Sequence, residues 1–429
     1  MTRKTLDFYR SFYGGLGLIC MSFMLCLLQL PSCIKPPFEP IDPCEINPCD
    51  TSKLMGKLDT LWAVPVRKDD LSFANYGLIS YKQHIIVNYS SIESSGLALI
   101  DKGNPIQKIE YDKPGLDLIT SMDLDSASNT LLIQREAWNA RISYPDAQLL
   151  NENKFTQGWS GSTYGYLLGP FYYRTRRTEN DSEAYVIRSS KDDLVNWDTI
   201  YTLTRGQVTG GSRPNIQSFN LWINPDSGDT ILIFQHRMAF PNRVDVVAYN
   251  LNLKKIEWKH DDLTRLGDSN HQQIFIHENK AYFGGGTAFY CFAMTDGNII
   301  WQHEHPSGII SYFLHKTVFA AQENLIIVKD GGRKLFAFDS ETGSVKWVNE
   351  DNNAGSASGS PVYHNGILYY TADASLFGIR ASNGELLWKE RPFKNGTQDF
   401  QGEIAIDPER GVLYATDSKH LYCIRLYED

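Results

Sequence analysis

The stretch AFDSETGSVKW, residues 337–347, decides the fold of this 429-residue chain. Apolar residues alternate along both of its arms, as they do in half-buried strands, and the arms flank a tight turn. In that turn Asp339 can accept hydrogen bonds from backbone amides, and Gly343 can take a positive φ without strain. Trp347 ends the second arm, where its ring can pack against a neighbouring unit while its indole N–H meets a carbonyl. The stretch therefore predicts a β-hairpin that docks onto a neighbour.

Three further copies of this hairpin end on a tryptophan in the same register. They read AYNLNLKKIEW up to Trp258, CFAMTDGNIIW up to Trp301 and GIRASNGELLW up to Trp388. Together with Trp347, these tryptophans recur every 41 to 46 residues, which is the period of a propeller with one repeat per blade. The repeat predicts an all-β fold, with the blades arranged as a ring.

The full copy resembles the tryptophan-docking motif of the PQQ-like (quinoprotein alcohol dehydrogenase-like) propellers, Ala-x-Asp-x-x-Thr-Gly-x-x-x-Trp. Every specified position is matched, by Ala337, Asp339, Thr342, Gly343 and Trp347. The other three copies match in part. This resemblance implies a PQQ-like β-propeller.

The first half of the chain carries weaker copies at a comparable spacing. These are LALIDKGNPIQKI at 97–109, ARISYPDAQLL at 140–150 and IRSSKDDLVNW at 187–197, and only the last keeps its tryptophan. Here the period is preserved better than the motif.

The two ends of the repeat region complete each other. Residues 421–427 begin a copy that stops without its outer strand, and residues 58–66 are an outer-strand phrase with no hairpin before it. Pairing them closes the ring and removes an exposed strand edge. We therefore predict eight blades over residues 58–429; seven is the alternative, if the region around Ala140 is an insertion.

An export signal precedes the predicted ring. Residues 1–32 begin with basic side chains, continue as an apolar run and end at the sequence LPSC, a layout typical of a secretory signal. The last four residues resemble the bacterial lipobox, which implies lipid modification of Cys33. A simple cleaved signal and an uncleaved anchor helix are the alternatives. Ile34 after the cysteine favours the outer membrane, by analogy with enterobacterial sorting.

A proline-rich tether, residues 33–57, joins this signal to the ring. Within it Cys44 and Cys49 are close enough in sequence for a small disulfide loop in an oxidising compartment. Free thiols or a metal pair are the other options.

The net charge of the chain is −9, and it falls to about −11 once residues 1–32 are removed. An acidic exported protein is a poor candidate for nucleic-acid binding. The motif itself carries no chemistry, because quinone-dependent relatives use an adjacent cysteine pair and this sequence has no Cys-Cys. We expect no cofactor and no catalytic residue.

Two other chemistries have weaker signals. The segment containing Asp192 and Asp193 resembles the Asp-box hairpins of glycosidase propellers, although a charged hairpin tip explains it more simply. His303 and His305 alternate on one strand and could share a metal, but no third ligand is evident, so we expect no metal site. The tyrosine-rich residues 164–173 could form an aromatic binding face or lie in the blade core.

The sequence thus favours a non-catalytic, lipid-anchored propeller that binds protein partners at the bacterial cell envelope. In export signal, anchor and predicted ring it resembles the propeller lipoproteins of the outer-membrane β-barrel assembly machine. That resemblance implies a role in outer-membrane protein assembly but identifies no partner. A glycan-binding protein or a propeller enzyme, quinone-dependent or glycosidase-like, is the alternative.

Overall fold

A computed structural model describes most of the ring. The described residues are 59–66, 73–90, 94–114, 119–135, 138–154, 159–160, 165–178, 180, 182–205, 214–239, 242–264, 274–285, 288–306, 317–330, 334–350, 360–372, 375–391, 400–417 and 419–427. All of them belong to one compact unit, Ile41–Asp429. The predicted signal 1–32 and tether 33–57, with Cys33, Cys44 and Cys49, lie outside the described residues.

The described strands, numbered in chain order, form eight small antiparallel sheets. Strand β1 is Thr60–Pro65. Blade 1 is β2 (Phe73–Tyr81), β3 (His84–Ser90), β4 (Ser94–Asp101) and β5 (Lys108–Pro114); blade 2 is β6 (Ile119–Asp125), β7 (Thr130–Arg135), β8 (Trp138–Ser143) and β9 (Leu149–Lys154); blade 3 is β10 (Trp159–Ser160), β11 (Gly165–Leu168), β12 (Phe171–Thr178), β13 (Glu183–Ser190) and β14 (Asp193–Thr204); blade 4 is β15 (Pro214–Ile223), β16 (Thr230–Ala239), β17 (Asn242–Asn250) and β18 (Lys255–Thr264).

The second half follows the same order. Blade 5 is β19 (Phe275–His277), β20 (Lys280–Gly285), β21 (Ala288–Ala293) and β22 (Ile299–Glu304); blade 6 is β23 (Val318–Ala320), β24 (Leu325–Lys329), β25 (Leu335–Asp339) and β26 (Val345–Asn349); blade 7 is β27 (Val362–His364), β28 (Ile367–Ala372), β29 (Ser375–Arg380) and β30 (Leu386–Glu390); blade 8 is β31 (Gln401–Asp407), β32 (Val412–Thr416) and β33 (His420–Arg425) together with β1.

The ring is closed by the pairing of β1 with β33. Trp62 stands opposite Cys423, and Arg425 donates its backbone N–H to the carbonyl of Asp59 at 2.9 Å. This confirms the composite last blade and the count of eight. The seven-blade alternative is wrong, because residues 140–150 form the β8–β9 hairpin of a complete sheet.

The first strand of a sheet faces the centre of the ring. Strand β27 contacts β23 and β31, and β2 contacts β31 and β6, so first strands meet first strands. Because strand direction alternates, the turns after the first and third strands share one face of the ring. The connections after the second and fourth strands share the opposite face.

The core lies between blades. In a representative cluster, Ile327 and Trp347 of blade 6 pack with Leu368 and Phe377 of blade 7. Each sheet is thus buried on both faces, which explains the nearly continuous apolar middle strands such as β24 and β28. No helix formed by the described residues is long and apolar enough to cross a membrane.

Candidate interaction surfaces

The docking motif of blade 6 has the turn that its sequence predicts. Asp339 Oδ1 accepts hydrogen bonds from the backbone N–H of Thr342 at 2.9 Å and of Glu341 at 3.1 Å, and from the Thr342 hydroxyl at 3.0 Å. The bond from the Thr342 amide is the main reason why the pKa of Asp339 falls to about 2. The carboxylate is therefore ionised at neutral pH and fixes the shape of the turn.

The glycine of the motif is needed for two reasons. Gly343 has a φ of +68°, and a Cβ placed on it would lie 2.4 Å from the ring of Trp301 in the preceding blade. Gly384 has the same relationship to Trp347, with a closest approach of 2.6 Å. The tryptophan of one blade thus packs against the glycine-containing turn of the next blade.

Three of the docking tryptophans also donate their indole N–H to a backbone carbonyl of the next blade. Trp258 Nε1–H donates to Met294 O at 3.0 Å, Trp301 Nε1–H donates to Ser340 O at 3.1 Å, and Trp347 Nε1–H donates to Ala381 O at 2.8 Å. Trp388 is also buried, at 3% exposed, but its Nε1 has no acceptor among the described residues. It packs against the composite blade, where two chain ends replace the hairpin turn.

Trp62 is a further docking tryptophan that the sequence comparison did not single out. It stands opposite Cys423 as Trp301 stands opposite Cys291, and it is fully buried. Its place in the outer-strand phrase at 58–66 was the available signal. Its ring packs beside Tyr414 of the same blade, with the centroids 5.9 Å apart.

Polar contacts replace this docking between blades 1 and 2. Glu152 stands opposite Ala140, where blade 6 has Trp347 opposite Ala337. Its carboxylate accepts from Trp138 Nε1 at 2.7 Å and pairs with Lys113 of blade 1. The Lys113 ammonium also lies 3.9 Å from the centre of the Trp138 ring.

Polar contacts also join the outer strands of blades 2 and 3. The amides of Asn151 and Asn153 donate to the carbonyls of Asp192 at 3.1 Å and Leu194 at 2.8 Å. Arg141 Nη2 lies 2.7 Å from Asp192 Oδ1. The aspartate is thus tied to a neighbouring blade at the tip of a hairpin.

Asp193, the other acid of that segment, stabilises the same tip. Its Oδ1 accepts from the backbone N–H of Val195 at 3.0 Å. The hydrogen bonds of this turn keep the pKa of the partly exposed carboxyl below its usual value. Hydrogen bonding from Asn196 is the largest cause of that shift. The two acids form the charged tip of the β13–β14 hairpin, as the simpler interpretation predicts.

The outer strands of these two blades expose large apolar side chains. The four residues are Leu149 (43% exposed) and Leu150 (50%) on β9 with Val195 (55%) and Trp197 (40%) on β14. Strand β14 spans twelve residues, against five or six in β9, β22, β26 and β30. We call these four side chains the blade 2–3 rim. It carries the one tryptophan of the aligned copies that is not buried.

The alternate histidines do not share a site. His305 Nε2 lies 3.0 Å from Asp330 Oδ2, and both residues are buried where blades 5 and 6 meet. Burial lowers the pKa of His303. Nowhere in the described part of the chain do three or more histidine, cysteine or acidic side chains converge as metal ligands would.

The tyrosine-rich segment belongs to the core where it is described. Tyr172 and Tyr173 are almost completely buried, and the Tyr166 ring packs edge-on against Phe219 at 4.8 Å. An aromatic binding face is thus not formed by these tyrosines. Tyr164 lies outside the described residues.

Cys291 and Cys423 take equivalent places in blades 5 and 8. They stand opposite Tyr282 and Tyr414, and burial raises the pKa of each thiol to about 12. Such thiols are unreactive at neutral pH, and both cysteines serve as small buried apolar side chains.

The residues present do not fit a bound quinone. The quinone-dependent relatives place an adjacent cysteine pair beneath the cofactor, whereas this sequence contains no such pair. Cys291 and Cys423 are in separate blades, each buried against a tyrosine.

Comparisons with known proteins agree with the ring and with its motif. A family model described as outer membrane protein assembly factor BamB matches residues 242–428. BamB of Moraxella catarrhalis has a similar structure, with a TM-score of 0.56 and 13% identity, and the match covers 86% of this chain and 100% of that one. No curated protein sequence matches the chain significantly.

Two further solved structures are similar to this chain in fold. A europium-containing methanol dehydrogenase has a TM-score of 0.61 at 8% identity, covering 86% of this chain and 93% of that one. Sqt1 of Saccharomyces cerevisiae has a TM-score of 0.61 at 9% identity, covering 87% and 100%. At such identities the likeness shows the fold alone. The chain is an eight-bladed β-propeller whose sequence motif resembles that of the PQQ-like propellers, and its second half matches the BamB family model.

Proposed function

We propose that this protein is a non-catalytic scaffold at the bacterial cell envelope, where it holds protein partners during outer-membrane protein assembly. The observation that carries the proposal is the match of residues 242–428 to the BamB assembly-factor family. The residues that produce this match hold the blades together. The partner-binding surface must therefore be sought on side chains that the docking does not use.

The blade 2–3 rim is the surface that we assign to a partner protein. Its leucines, valine and tryptophan remain exposed on outer strands whose polar side chains are already engaged in blade-to-blade contacts. Tryptophan is among the side chains that most often form the energetic centre of a protein interface, and the two leucines and the valine add apolar area around it. A partner that covers Leu150 and Trp197 would remove this apolar surface from water.

The anchor in the proposal is a lipid on Cys33, and the compartment is the periplasmic side of the outer membrane. The sequence LPSC and the residue after it support this, as does the resemblance to envelope lipoproteins. Three acyl chains would hold the ring at the membrane without a transmembrane helix. The tether would let the ring reach partners beside the anchor.

The first experiment is a crosslinked pulldown of the membrane-anchored protein from its native host, with bound proteins identified by mass spectrometry. Leu150→Glu with Trp197→Glu places charge on the blade 2–3 rim. Ile223→Glu is the matched control, because Ile223 is 67% exposed on blade 4 and outside the rim. Both variants should fold, since the substituted side chains are exposed.

Enrichment of outer-membrane barrel proteins and their assembly factors, lost in the rim variant and kept in the control, supports the proposal. Equal recovery from both variants removes the rim from it. If no envelope protein is enriched, the scaffold function fails, and binding of a glycan or a small molecule is tested next. Reduction of an artificial dye with an alcohol or sugar then tests the enzyme alternative.

A further inference from the structure

Asn383 directly precedes the glycine against which Trp347 docks. The sequence has two further Asn-Gly pairs, at 365–366 and at 395–396, and the latter lies outside the described residues. An asparagine followed by glycine forms a succinimide most readily, because glycine has no Cβ to hinder attack by its backbone nitrogen on the preceding side chain. Asn383 is exposed to water, whereas Gly384 is buried beneath the Trp347 ring.

The turn holds the carboxamide of Asn383 close to the peptide bond that follows it. The backbone N–H of Glu385 donates to Asn383 Oδ1 at 3.0 Å, which folds the side chain back over the nitrogen of Gly384. The same N–H would stabilise the negative charge that an attack on Cγ places on Oδ1. The Gly384 nitrogen donates to Arg380 O at 2.9 Å, so this one hydrogen bond must open before the attack.

We propose that Asn383 is a site of spontaneous deamidation, and that its isoaspartate product weakens the docking of blade 6 on blade 7. Hydroxide removes the amide proton of Gly384, and the nitrogen forms a bond to Asn383 Cγ. The Cγ–Nδ2 bond breaks, and ammonia leaves with a proton taken from water. The product is a five-membered succinimide.

Water then opens the succinimide at one of its two carbonyls. Opening at Cγ gives aspartate, and opening at the main-chain carbonyl of residue 383 gives isoaspartate. No oxidation or reduction occurs, so water is the one co-reactant. The inference goes beyond the scaffold function and is independent of it, since it concerns the chemical stability of the ring.

The aspartate product fits the turn. Blade 5 carries Asp296 and Gly297 at the same place, and Asp296 Oδ1 accepts from the backbone N–H of Asn298 at 3.0 Å. A Cβ on Gly297 would lie 2.6 Å from the ring of Trp258, the same closest approach as in blade 7. A carboxylate in place of the amide is thus compatible with docking.

The isoaspartate product does not fit. It adds one methylene to the main chain between positions 383 and 384, in a turn where the φ of Gly384 is +75° and its Cβ position lies 2.6 Å from the Trp347 ring. The carbonyl of Gly384 also accepts from Asn349 Nδ2 at 2.6 Å, in a buried place. A longer main chain must shift the glycine, and the shift pushes it against the ring or breaks the bond from Asn349.

Ageing of the full-length protein in detergent tests the proposal. The folded protein is kept at neutral and at mildly alkaline pH, beside a sample unfolded in urea that sets the ageing time. Peptide mapping by mass spectrometry measures deamidation at each Asn-Gly pair, and labelling with an isoaspartate methyltransferase detects the isoaspartate. Thermal unfolding of the folded samples follows the docking. Because the reaction begins with loss of an amide proton, the modified fraction should rise with pH.

Two variants separate the products. Asn383→Thr installs the residue that blade 6 has at this place, Thr342, and a threonine cannot form the succinimide. Its unfolding midpoint should stay constant on ageing. Asn383→Asp carries the aspartate product from the start, and before ageing its midpoint should equal that of the fresh wild type.

Asn365→Glu is the matched control, since it removes an exposed Asn-Gly pair that supports no docking tryptophan. The Cβ position of Gly366 meets only the ends of the Glu323 and Gln322 side chains, at 3.6 and 3.9 Å. Glutamate already occupies the equivalent place in blade 5, at Glu278 with a φ of 53°, close to the 46° of Asn365. This variant should lose stability on ageing as the wild type does.

Isoaspartate that accumulates at position 383 of the folded protein supports the site, if the midpoint falls in the aged wild type and in Asn365→Glu but not in Asn383→Thr. The proposal is overturned if Asn383 keeps its amide in the folded protein while the urea sample loses it. It is also overturned if the conversion leaves the midpoint unchanged, or if Asn383→Thr loses as much stability as the wild type.

Discussion

The ring of Trp301 lies against Gly343 of the next blade so closely that a Cβ on the glycine would come within 2.4 Å of it. The indole N–H of Trp301 also donates to Ser340 O at 3.1 Å, in the same turn. The tryptophan ring thus packs in the space that a side chain at position 343 would fill, and its N–H binds a backbone carbonyl of the same turn. This relationship explains why the motif couples glycine and tryptophan across blades.

Gly343→Ala should therefore destabilise the ring more than a positive φ alone would. Gly228 is the matched control: its φ is +74°, its N–H closes the same kind of turn onto Asn224, and nothing lies within 4 Å of its Cβ position. We expect Gly228→Ala to cost about 1 kcal/mol through backbone strain and Gly343→Ala about 1–3 kcal/mol more through overpacking. Urea unfolding measures both free energies of unfolding. Equal losses of stability in the two variants would refute the close contact between Gly343 and the Trp301 ring.

Trp347→Ala should cost about 3–5 kcal/mol, because a large buried ring and its hydrogen bond to Ala381 O are lost together. Trp197→Ala is the control. Trp197 holds the same motif position in another copy, but its side chain is 40% exposed. Its loss should stay below about 1 kcal/mol. An unaltered melting temperature for the Trp347 variant would contradict the docking role.

A buried ion pair joins blades 1 and 8, and we expect it to contribute to ring closure. Lys102 Nζ lies 2.5 Å from Asp407 Oδ2, and the side chains are only 4% and 9% exposed. Lys102→Met leaves a buried carboxylate and should cost about 3–5 kcal/mol. Lys102→Met with Asp407→Leu should recover part of that loss, because the buried carboxylate is then removed together with its lysine. The exposed pair Arg380 and Glu385 is the control, and Arg380→Met should cost less than about 1 kcal/mol.

A double variant no more stable than Lys102→Met alone would show that the pair does not govern closure. Chemical unfolding of the four proteins decides this, provided that each unfolds in a single transition.

Acidification should weaken the ring through His236. Burial lowers its pKa from the ordinary 6.5, and Asp245, whose Oδ2 lies 3.9 Å from Nδ1, opposes this only in part; the Lys259 charge lowers it and Asp261 raises it. The ring of Tyr201 packs beside it, with the centroids 5.3 Å apart. A folded pKa below the unfolded value means that the unfolded chain binds more protons, so stability falls as the pH drops below about 6.5.

Burial lowers the pKa of His84 and His303 as well, so His236→Gln should flatten this dependence only in part. Denaturant unfolding between pH 7 and about pH 5 measures the slope. His364→Gln, a substitution on strand β27 at the inner edge of blade 7, is the control. A slope in the His236 variant equal to that of the wild type would contradict the prediction.

The blades that the sequence predicts are those whose docking contacts are made by residues of one local motif. The turn that ends in Gly343 and the strand that ends in Trp347 lie within one hairpin, so a single stretch reveals them. The pairing of β1 with β33 was predictable because two incomplete copies fit each other. The position of Trp197 was not, since register shifts in blade 3 place it opposite Ser189, nearer the hairpin tip, instead of opposite Ile187.

The polar contacts between blades 1, 2 and 3 could not be predicted from the sequence, for a different reason. Lys113 meets Glu152, and Arg174 meets Asn139, across separations of 39 and 35 residues, and none of these residues is unusual in its own segment. A charged side chain on a strand normally indicates a solvent-exposed face. Only the packing of two sheets turns the Arg174 position into a buried one.

Cys33→Ser should release the protein from membranes. A serine cannot carry the thioether-linked lipid, and the described ring has no membrane-spanning helix to replace it. Fractionation of the native host, with immunodetection in pellet and supernatant, measures the change. Cys44→Ser is the matched control, since it removes a thiol from the tether but leaves LPSC intact, and it should stay with the membranes. A Cys33 variant that still pellets would mean that the apolar run of residues 14–30 is itself the anchor, because about 17 apolar residues are near the lower limit for a spanning helix.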